Sequence, residues 1–264
     1  HGRTMGALAL TGNASYLAGF GEPIDGIEHL DYGDLAAVAA RMGPDVASIH
    51  VEPLQGEGGV RPAPEGFMAG LRALCDQHGA LLMVDEVQAG MGRTGKMLGS
   101  DHWGVKPDAI ALAKGLGGGV AVGAMLLGEH LAGALPPGAH GSTFGGNPLA
   151  SVAARTVLRI LLRDGLIERA AQLGGRLGDG LAKVAAAHPV LCTGARGLGL
   201  LRAITLADGV LARDLLGPAR DEGLLLTAAG PSALRYTPAL TVSEAQIDEA
   251  LERTDAMLSK HEIS

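Results

Sequence analysis

An acidic side chain and a lysine stand at the ends of two apolar segments of this sequence. Asp85 follows the apolar run 80–84, and Lys114 lies between the run 109–112 and the glycine-rich segment 115–119. Open parallel sheets bind ligands beyond the carboxyl ends of their strands, so the two side chains are expected to face one crevice. For an isolated Asp and Lys, a simple ion pair is the more common explanation. The position of Lys114, where a surface lysine is not expected, favours a functional site.

A third chemical group comes from the segment 140–148, His-Gly-Ser-Thr-Phe-Gly-Gly-Asn-Pro. Thr143 offers a hydroxyl in this glycine-rich turn, and such turns suit a phosphate group. The segment therefore adds a candidate phosphate contact to Asp85 and Lys114.

The segment 90–96, Gly-Met-Gly-Arg-Thr-Gly-Lys, matches two nucleotide-binding patterns. A dinucleotide fingerprint requires a helix to open at these glycines, and the residues from Lys96 to Trp103 show no clear amphipathic helix. A phosphate-binding loop requires Ser or Thr after the lysine, where this chain has Met97. Both matches are weak, so we interpret the segment as a glycine loop that covers another part of the protein.

The composition is that of a soluble globular α/β protein. The chain has 264 residues, of which 47% are hydrophobic and 19% are charged, and its 42 glycines cluster at turns. The net charge of −7 comes without a run of Lys or Arg, which argues against a nucleic-acid or membrane-surface partner. Cys75 and Cys192 lack metal-ligand spacing and are expected to be buried thiols in a reducing cytoplasm. The chain starts in what resembles mid-domain sequence, so an upstream segment is expected.

Apolar runs alternate with helical patterns through the first half of the chain, which predicts a mainly parallel sheet. A smaller α+β domain is predicted after it, with domains 1–155 and 156–264. The predicted strands are 46–51, 80–84, 109–112, 123–127, 198–206, 224–226 and 234–237. The predicted helices are 65–78, stopped by Gly79; one opened by Asn147-Pro148; one from 166 to His188-Pro189; and one opened by the capping box Ser243–Gln246.

A family resemblance extends along nearly the whole chain, and four segments carry it in order: Glu52–Val60, Asp85–Gly95, Leu112–Gly119 and His140–Asn147. They resemble the class III (subgroup II) aminotransferases that depend on pyridoxal 5′-phosphate (PLP), and most closely the acetylornithine aminotransferase branch. The resemblance implies an α/β PLP-dependent transferase of fold type I. It also implies that the large PLP-binding domain, residues 1–155, lacks its N-terminal part.

The resemblance gives each chemical group a role around the cofactor. Lys114 would bind PLP covalently and move the substrate's Cα proton, tasks that suit a desolvated lysine of lowered pKa. Asp85 would pair with the pyridine nitrogen and keep it protonated. Gln88 would hydrogen-bond the ring's phenolic oxygen. Thr143, with Ser142 beside it, would reach the phosphate of the neighbouring subunit's cofactor, which implies a homodimer with shared active sites.

Three further residues would bind the substrate. Arg3 matches the arginine that holds the α-carboxylate through two parallel hydrogen bonds. Arg235 would bind a second carboxylate, and Glu57 would neutralise Arg235 while the donor's ω-amine end occupies the site. Glu57 would swing away when 2-oxoglutarate enters. The implied reaction is transamination between an N-acetylornithine-like or ornithine-like donor and 2-oxoglutarate, in arginine biosynthesis.

The match departs from the family in two short segments. Gly119–Gly123 lacks the proline usual after the glycine run, and Thr237–Leu240 differs from the common Pro-Pro-Leu. Two alternatives stay open: another class III aminotransferase or aminomutase with a different ω-amino substrate, and an inactive chain that needs its N-terminal part. No metal site is predicted.

Overall fold

A computed structural model describes residues 1–262, in which the strands form two four-stranded sheets and one short hairpin. The strands of the first sheet lie between residues 48 and 127, and those of the second lie between residues 192 and 236. In chain order the strands are β1 (Ser48–Val51), β2 (Leu54–Gln55), β3 (Arg61–Pro62), β4 (Leu81–Asp85), β5 (Ala109–Leu112), β6 (Ala124–Leu127), β7 (Cys192–Leu198), β8 (Leu201–Leu206), β9 (Thr227–Ala228) and β10 (Ala233–Tyr236).

The predicted helix ends are confirmed by their capping contacts. Gly79, with a left-handed φ of 71°, ends the third helix. Asn147 Oδ1 accepts a hydrogen bond from the Ala150 N–H at 3.0 Å, and Ser243 and Gln246 bond each other's backbone N–H groups. The α-helices are α1 (Met5–Ala9), α2 (Leu35–Arg41), α3 (Phe67–His78), α4 (Pro148–Arg163), α5 (Leu166–Ala187), α6 (Ala212–Asp221) and α7 (Glu244–Glu262). Among residues 1–262, no helix combines the length and apolar character needed to cross a membrane.

The first sheet has the strand order β1-β4-β5-β6, and its first three strands are parallel. Leu82 and Val84 of β4 are buried in the core formed with α3. β6 instead runs antiparallel to β5, with Ala109 opposite Leu127, so the sheet is mainly but not wholly parallel. Because β4 and β5 are parallel neighbours, the residues that follow them meet at one edge of the sheet.

The second sheet has the order β7-β8-β10-β9 and is antiparallel throughout. Helix α5 belongs to the same core and buries Leu173, Leu177 and Leu181 there. A Cβ on Gly174 of this helix would lie 2.2 Å from the carbonyl carbon of Gly199, so the helix requires glycine at this crossing.

The glycine loop 90–96 joins the first sheet to the second part of the chain. Arg93 Nη1 donates hydrogen bonds to the carbonyl oxygens of Leu200 at 3.2 Å and Pro238 at 2.6 Å. A Cβ on Gly95 would lie 2.8 Å from Cα of Ala171, so backbone approaches backbone here. The interpretation of this segment as a covering loop is confirmed.

Several elements differ from the sequence prediction. β7 was missed because Gly194 and Gly197 interrupt its alternation. α2 was also missed. The predicted strand 224–226 is wrong, since the strand in this region is β9, which begins at Thr227. The predicted domain boundary near residue 155 falls within α4, and the division into two domains stays a prediction.

Candidate active site

The candidate site lies at the edge where β4 and β5 end. Asp85, the last residue of β4, pairs in register with Ala111 of β5, three residues before Lys114. Lys114 opens a short 3₁₀ turn, Lys114–Gly117, with a φ of 42°. A positive φ is uncommon outside glycine and clusters at functional positions held by the surrounding structure. Residues 114–118 form a single tight turn and no α-helix.

The backbone orients the Asp85 carboxylate. The backbone N–H of Val87 donates a hydrogen bond to Oδ1 of Asp85 at 3.0 Å. A carboxylate held in this way is an acceptor suited to a protonated pyridine nitrogen.

Lys114 has a lowered pKa, although the residue as a whole is exposed. Burial of the amine is the largest cause, followed by the opposing charge of Glu57 and the repulsion of Arg235; Glu52 and Asp85 also raise the pKa. The predicted direction is confirmed. The expected desolvation is only partial, because the side chain stays open to water in this chain.

Glu57 and Arg235 form a salt bridge that Gln88 completes. Arg235 Nη1 donates to Glu57 Oε1 at 2.7 Å. Gln88 Nε2 donates to the same oxygen at 2.7 Å, and Gln88 Oε1 accepts from Arg235 Nη1 at 3.2 Å. Burial raises the pKa of Glu57, but the hydrogen bonds from Arg235 and Gln88 outweigh it, so the pKa lies below its ordinary value. The carboxylate is therefore the form that binds Arg235.

The two partners differ in how firmly they are held. Arg235 also donates from Nη1 to the carbonyl oxygen of Gly56 at 3.1 Å and from Nε to Thr227 Oγ1 at 3.0 Å. Its side chain is 12% exposed, whereas that of Glu57, on the turn between β2 and β3, is 46% exposed. Arg235 is thus held by more contacts than Glu57, and the carboxylate of Glu57 is the more exposed partner of the pair.

Glu52 is a site residue to which the sequence analysis gave no role. Its pKa is raised to about 7, first by burial and further by the charge of Asp85. The Gly56 N–H donates to Glu52 Oε2 at 3.3 Å, and this contact, with the charges of Lys114 and the N-terminal amine, opposes the shift. The sequence held a signal for this residue. Glu52 directly follows the end of β1, just as Asp85 and Lys114 lie at the ends of β4 and β5.

Glu86 is a second carboxyl to which the sequence analysis gave no role. It is 1% exposed, and its two oxygens accept the backbone N–H groups of Gly99 and Ser100, each at 2.7 Å. Burial is the largest cause of its raised pKa. Glu86 thus points away from the site edge and fixes the segment that closes the glycine loop 90–96.

Three predicted site residues lie outside this cluster. The guanidinium of Arg3 lies over the ring of Tyr16, 3.7 Å from its centroid. Ser142 and Thr143 are exposed in a loop that precedes α4. The structure therefore brings together Lys114, Asp85, Gln88, Glu57 and Arg235, and the roles of all eight residues stay predictions.

Comparison with known proteins decides the family. Residues 1–258 match the family model described as Aminotransferase class-III. The chain belongs to the class III aminotransferases. The family that four segments predicted is confirmed.

Curated relatives of this aminotransferase chain carry one name. It is 46% identical over 262 residues to acetylornithine aminotransferase 1 of Bradyrhizobium diazoefficiens, covering 98% of this chain and 64% of the relative. It is 48% identical over 260 residues to acetylornithine aminotransferase of Myxococcus xanthus, covering 94% of this chain and 62% of the relative. The chain thus spans less than two thirds of the length of these relatives.

Solved structures of the family share the fold. The ornithine aminotransferase of Toxoplasma gondii ME49 superposes with a TM-score of 0.93 at 34% identity, over 99% of this chain and 63% of that one. N-acetylornithine aminotransferase of Stenotrophomonas maltophilia K279a gives 0.80 at 38% identity, over 89% of this chain and 62% of that one. The predicted α/β fold of the PLP-dependent aminotransferases is confirmed.

The side chains of this aminotransferase site fit PLP, the cofactor of the family. Asp85 supplies a carboxylate oriented by the Val87 N–H, and Lys114 supplies an amine of lowered pKa beyond the end of the neighbouring strand. An acid for the ring nitrogen and a lysine for the aldehyde are the two groups that PLP chemistry requires of a protein.

Proposed function

We propose that this chain carries the catalytic lysine, Lys114, and the substrate gate of a PLP-dependent aminotransferase. The gate is the salt bridge between Glu57 and Arg235. The reaction transfers an amino group from N-acetylornithine, or an ornithine-like donor, to 2-oxoglutarate in arginine biosynthesis. The observation that carries this proposal is the meeting of Lys114 and Asp85 with the Glu57–Arg235 salt bridge at one sheet edge. The names of the two curated relatives support the choice of donor.

Lys114 performs the proton transfer in this proposal. Bound PLP supplies an electron sink that stabilises negative charge on the substrate's Cα. The Nζ of Lys114 takes the Cα proton and returns it, and its lowered pKa favours the neutral amine that accepts a proton. The 3₁₀ turn fixes the start of the lysine side chain, so the amine meets Cα from one side.

Asp85 and Gln88 orient the reacting group. Asp85 would pair with a protonated ring nitrogen, while the Val87 N–H keeps the carboxylate in place. Gln88 lies between Glu57 and Arg235, with an amide that can turn from the salt bridge toward the ring's phenolic oxygen. Such orientation lowers the barrier by fixing the reacting atoms in advance.

Glu57 and Arg235 select the two substrates in turn. With Glu57 on Arg235, the pair is neutral and accepts the uncharged or basic end of the donor. With Glu57 turned out to solvent, Arg235 offers a planar guanidinium to the second carboxylate of 2-oxoglutarate. Arg3 binds the α-carboxylate common to both substrates.

The proposal includes a homodimer in the cytoplasm. Phe144 is 80% exposed, and Leu149 and Val152 near it are 70% and 58% exposed. Large apolar side chains clustered on a surface mark interaction sites. A second copy seated there would meet Ser142 and Thr143, whose hydroxyls would reach its bound phosphate. The buried free thiols Cys75 and Cys192 suit a reducing compartment.

The decisive experiment is reduction of PLP-loaded protein with borohydride, followed by peptide mapping. We expect the pyridoxyl mass on Lys114 and its loss in Lys114→Ala. A mass on another lysine, or on none, rejects the assignment. A panel of amino donors with 2-oxoglutarate then separates N-acetylornithine from other ω-amino substrates and from an aminomutase.

A further inference from the structure

Two carboxyl groups leave neighbouring strands of the first sheet side by side. Val51 of β1 pairs with Val84 of β4 in parallel register. Glu52 and Asp85 are the next residues along these two strands, so their side chains start from the same edge of the sheet. The carboxyl of Glu52 is turned to the hairpin that carries Glu57.

The carboxyl of Glu52 holds the turn of this hairpin. Its Oε2 accepts the Gly56 N–H at 3.3 Å, and the carbonyl oxygen of the same Gly56 accepts a hydrogen bond from Arg235 at 3.1 Å. Glu57, the next residue, binds Arg235 at 2.7 Å. One peptide segment therefore has the Glu52 carboxyl on one side and the substrate gate on the other.

Hydrogen bonds from Tyr32 hold the backbone at Glu52, so the carboxyl acts from a fixed position. Tyr32 Oη donates to the carbonyl oxygens of Glu52 at 3.0 Å and Pro53 at 3.2 Å. A Cβ on Gly56 would lie 2.0 Å from Gln88 Oε1, so the turn packs directly on the side chain that bridges the gate. A change in the strength of the hydrogen bond between Glu52 and Gly56 therefore affects the contacts of Gln88, Glu57 and Arg235 together.

We propose that Glu52 is a positioning residue that couples the proton state of the cofactor edge to the Glu57–Arg235 gate. This inference rests on the proposed function, because it concerns the same site. Charged Glu52 holds the Gly56 N–H by a charge-assisted hydrogen bond and keeps the turn, and with it Glu57, against Arg235. Neutral Glu52 is the weaker acceptor, so Glu57 leaves Arg235 more readily and a dicarboxylate enters.

The charges that face Glu52 set when this change occurs. Asp85 favours the neutral form of Glu52, and Lys114 and the N-terminal amine favour the charged form. With the pKa of Glu52 at about 7, both forms are populated near neutral pH. A cation placed on Asp85 removes part of its repulsion and so promotes the charged, closed form.

Glutarate is a suitable probe, since it has the two carboxylates of 2-oxoglutarate and no reactive carbonyl. We expect its dissociation constant with the wild-type protein, measured by calorimetry, to rise about fivefold as pH increases through 7, the effect of strengthening one hydrogen bond on the closed gate. Glu52→Gln keeps a neutral acceptor at every pH and should bind glutarate with the low-pH affinity throughout. Glu65→Gln, at an exposed carboxyl beyond the hairpin, should behave as wild type.

A second measurement reports on the turn without any ligand. The Gly56 amide resonance of the ¹⁵N-labelled protein should shift with a midpoint near pH 7 in wild type and Glu65→Gln, and lose this titration in Glu52→Gln. The same Gly56 titration in Glu52→Gln as in wild type overturns the inference. Wild-type protein that binds no glutarate, or that carries no pyridoxyl mass on Lys114, counts against the proposed function instead, and the Gly56 resonance still decides the role of Glu52.

Discussion

Arg235 Nη1 lies 2.7 Å from the carboxylate of Glu57, a residue that is 178 positions away in the sequence. Arg235 lies on β10 of the second sheet, and Glu57 lies on the hairpin that follows β1 of the first sheet. The salt bridge therefore depends on how the two parts of the chain pack. In the proposed function it is also the feature that selects between a basic donor and an acidic acceptor.

We expect Glu57→Gln to strengthen the binding of 2-oxoglutarate and Arg235→Lys to weaken it. In Glu57→Gln the uncharged amide no longer neutralises Arg235, so KM for 2-oxoglutarate should fall several-fold and KM for the donor should rise. In Arg235→Lys the two parallel hydrogen bonds of the guanidinium to the second carboxylate are lost. This loss typically costs about 1.5–3 kcal/mol and should raise KM for 2-oxoglutarate roughly tenfold or more. Steady-state kinetics of both half-reactions provide the measurement. Arg176→Lys, in an exposed pair with Asp248, is the control, and equal effects on both substrates would contradict the gate.

Lys114 should react with an amine-directed reagent at lower pH than an exposed lysine. Burial and Arg235 lower its pKa against the opposing effect of nearby carboxylates, and only the neutral amine is nucleophilic. Reductive methylation over a range of pH, followed by peptide mass spectrometry, measures this for Lys114 and for Lys183 as comparison. Glu57→Gln should lower the midpoint for Lys114 further, because it removes a charge that raises the pKa. An unchanged midpoint in that variant would show that the two groups do not interact.

Glu52→Gln should stabilise the fold at alkaline pH and not at acidic pH. The pKa of Glu52 is about 7 in the folded chain against an ordinary value of 4.5, so the folded state binds the extra proton between these values. Stability of the wild type is therefore lost as pH rises from about 4.5 to about 7, and it stays lower above that. We expect a gain of about 1–3 kcal/mol for the variant at pH 8, measured by urea unfolding. An equal gain at pH 4.5 would point to a cause other than this carboxyl.

Glu86→Gln should destabilise the loop at residues 98–101. Each oxygen of Glu86 accepts one backbone N–H, and an amide replaces one acceptor with a donor facing Gly99 or Ser100. One buried N–H then lacks a partner, at a cost of about 1–3 kcal/mol. Urea unfolding with Glu65→Gln as the exposed control tests this. Hydrogen exchange at the Gly99 and Ser100 amides should accelerate in Glu86→Gln alone.

Phe144→Asp should prevent association of two copies. A charge at this exposed apolar position is costly only where the residue becomes buried in a dimer. Sedimentation equilibrium should give a monomer for Phe144→Asp. Leu225→Asp, at a side chain that is 88% exposed and distant in sequence, should associate as the wild type does. A dimer in both variants would place the interface elsewhere.

Local sequence rules predicted the elements that depend on neighbours along the chain. Gly79, Asn147 and the pair Ser243–Gln246 mark helix ends because capping involves residues three or four positions apart. β7 was not predictable in this way, since it is held by pairing with β8 across glycines that weaken its own pattern. The antiparallel direction of β6 likewise follows from the sheet and not from its apolar run.

The site was predictable where a residue's chemistry depends on its place at a strand end. Asp85 and Lys114 were located by that rule, and the family resemblance added Glu57, Gln88 and Arg235. The near-neutral pKa of Glu52 was not predictable, because it arises from burial and from the charge of a residue on another strand. The partial exposure of Lys114 was also not predictable from its apolar neighbours in sequence.

The position of the gate also bears on recombination between homologous genes. A chimaera joined anywhere between Glu57 and Arg235 inherits the acid from one parent and the base from the other. Such a chimaera can keep both residue types and yet lose donor selectivity, because the hairpin and the second sheet have not been matched to each other. Crossovers that exchange the hairpin together with the second sheet should preserve selectivity, and the packing of Leu54 and Val60 against Leu201 and Ala233 identifies the residues to move as a unit.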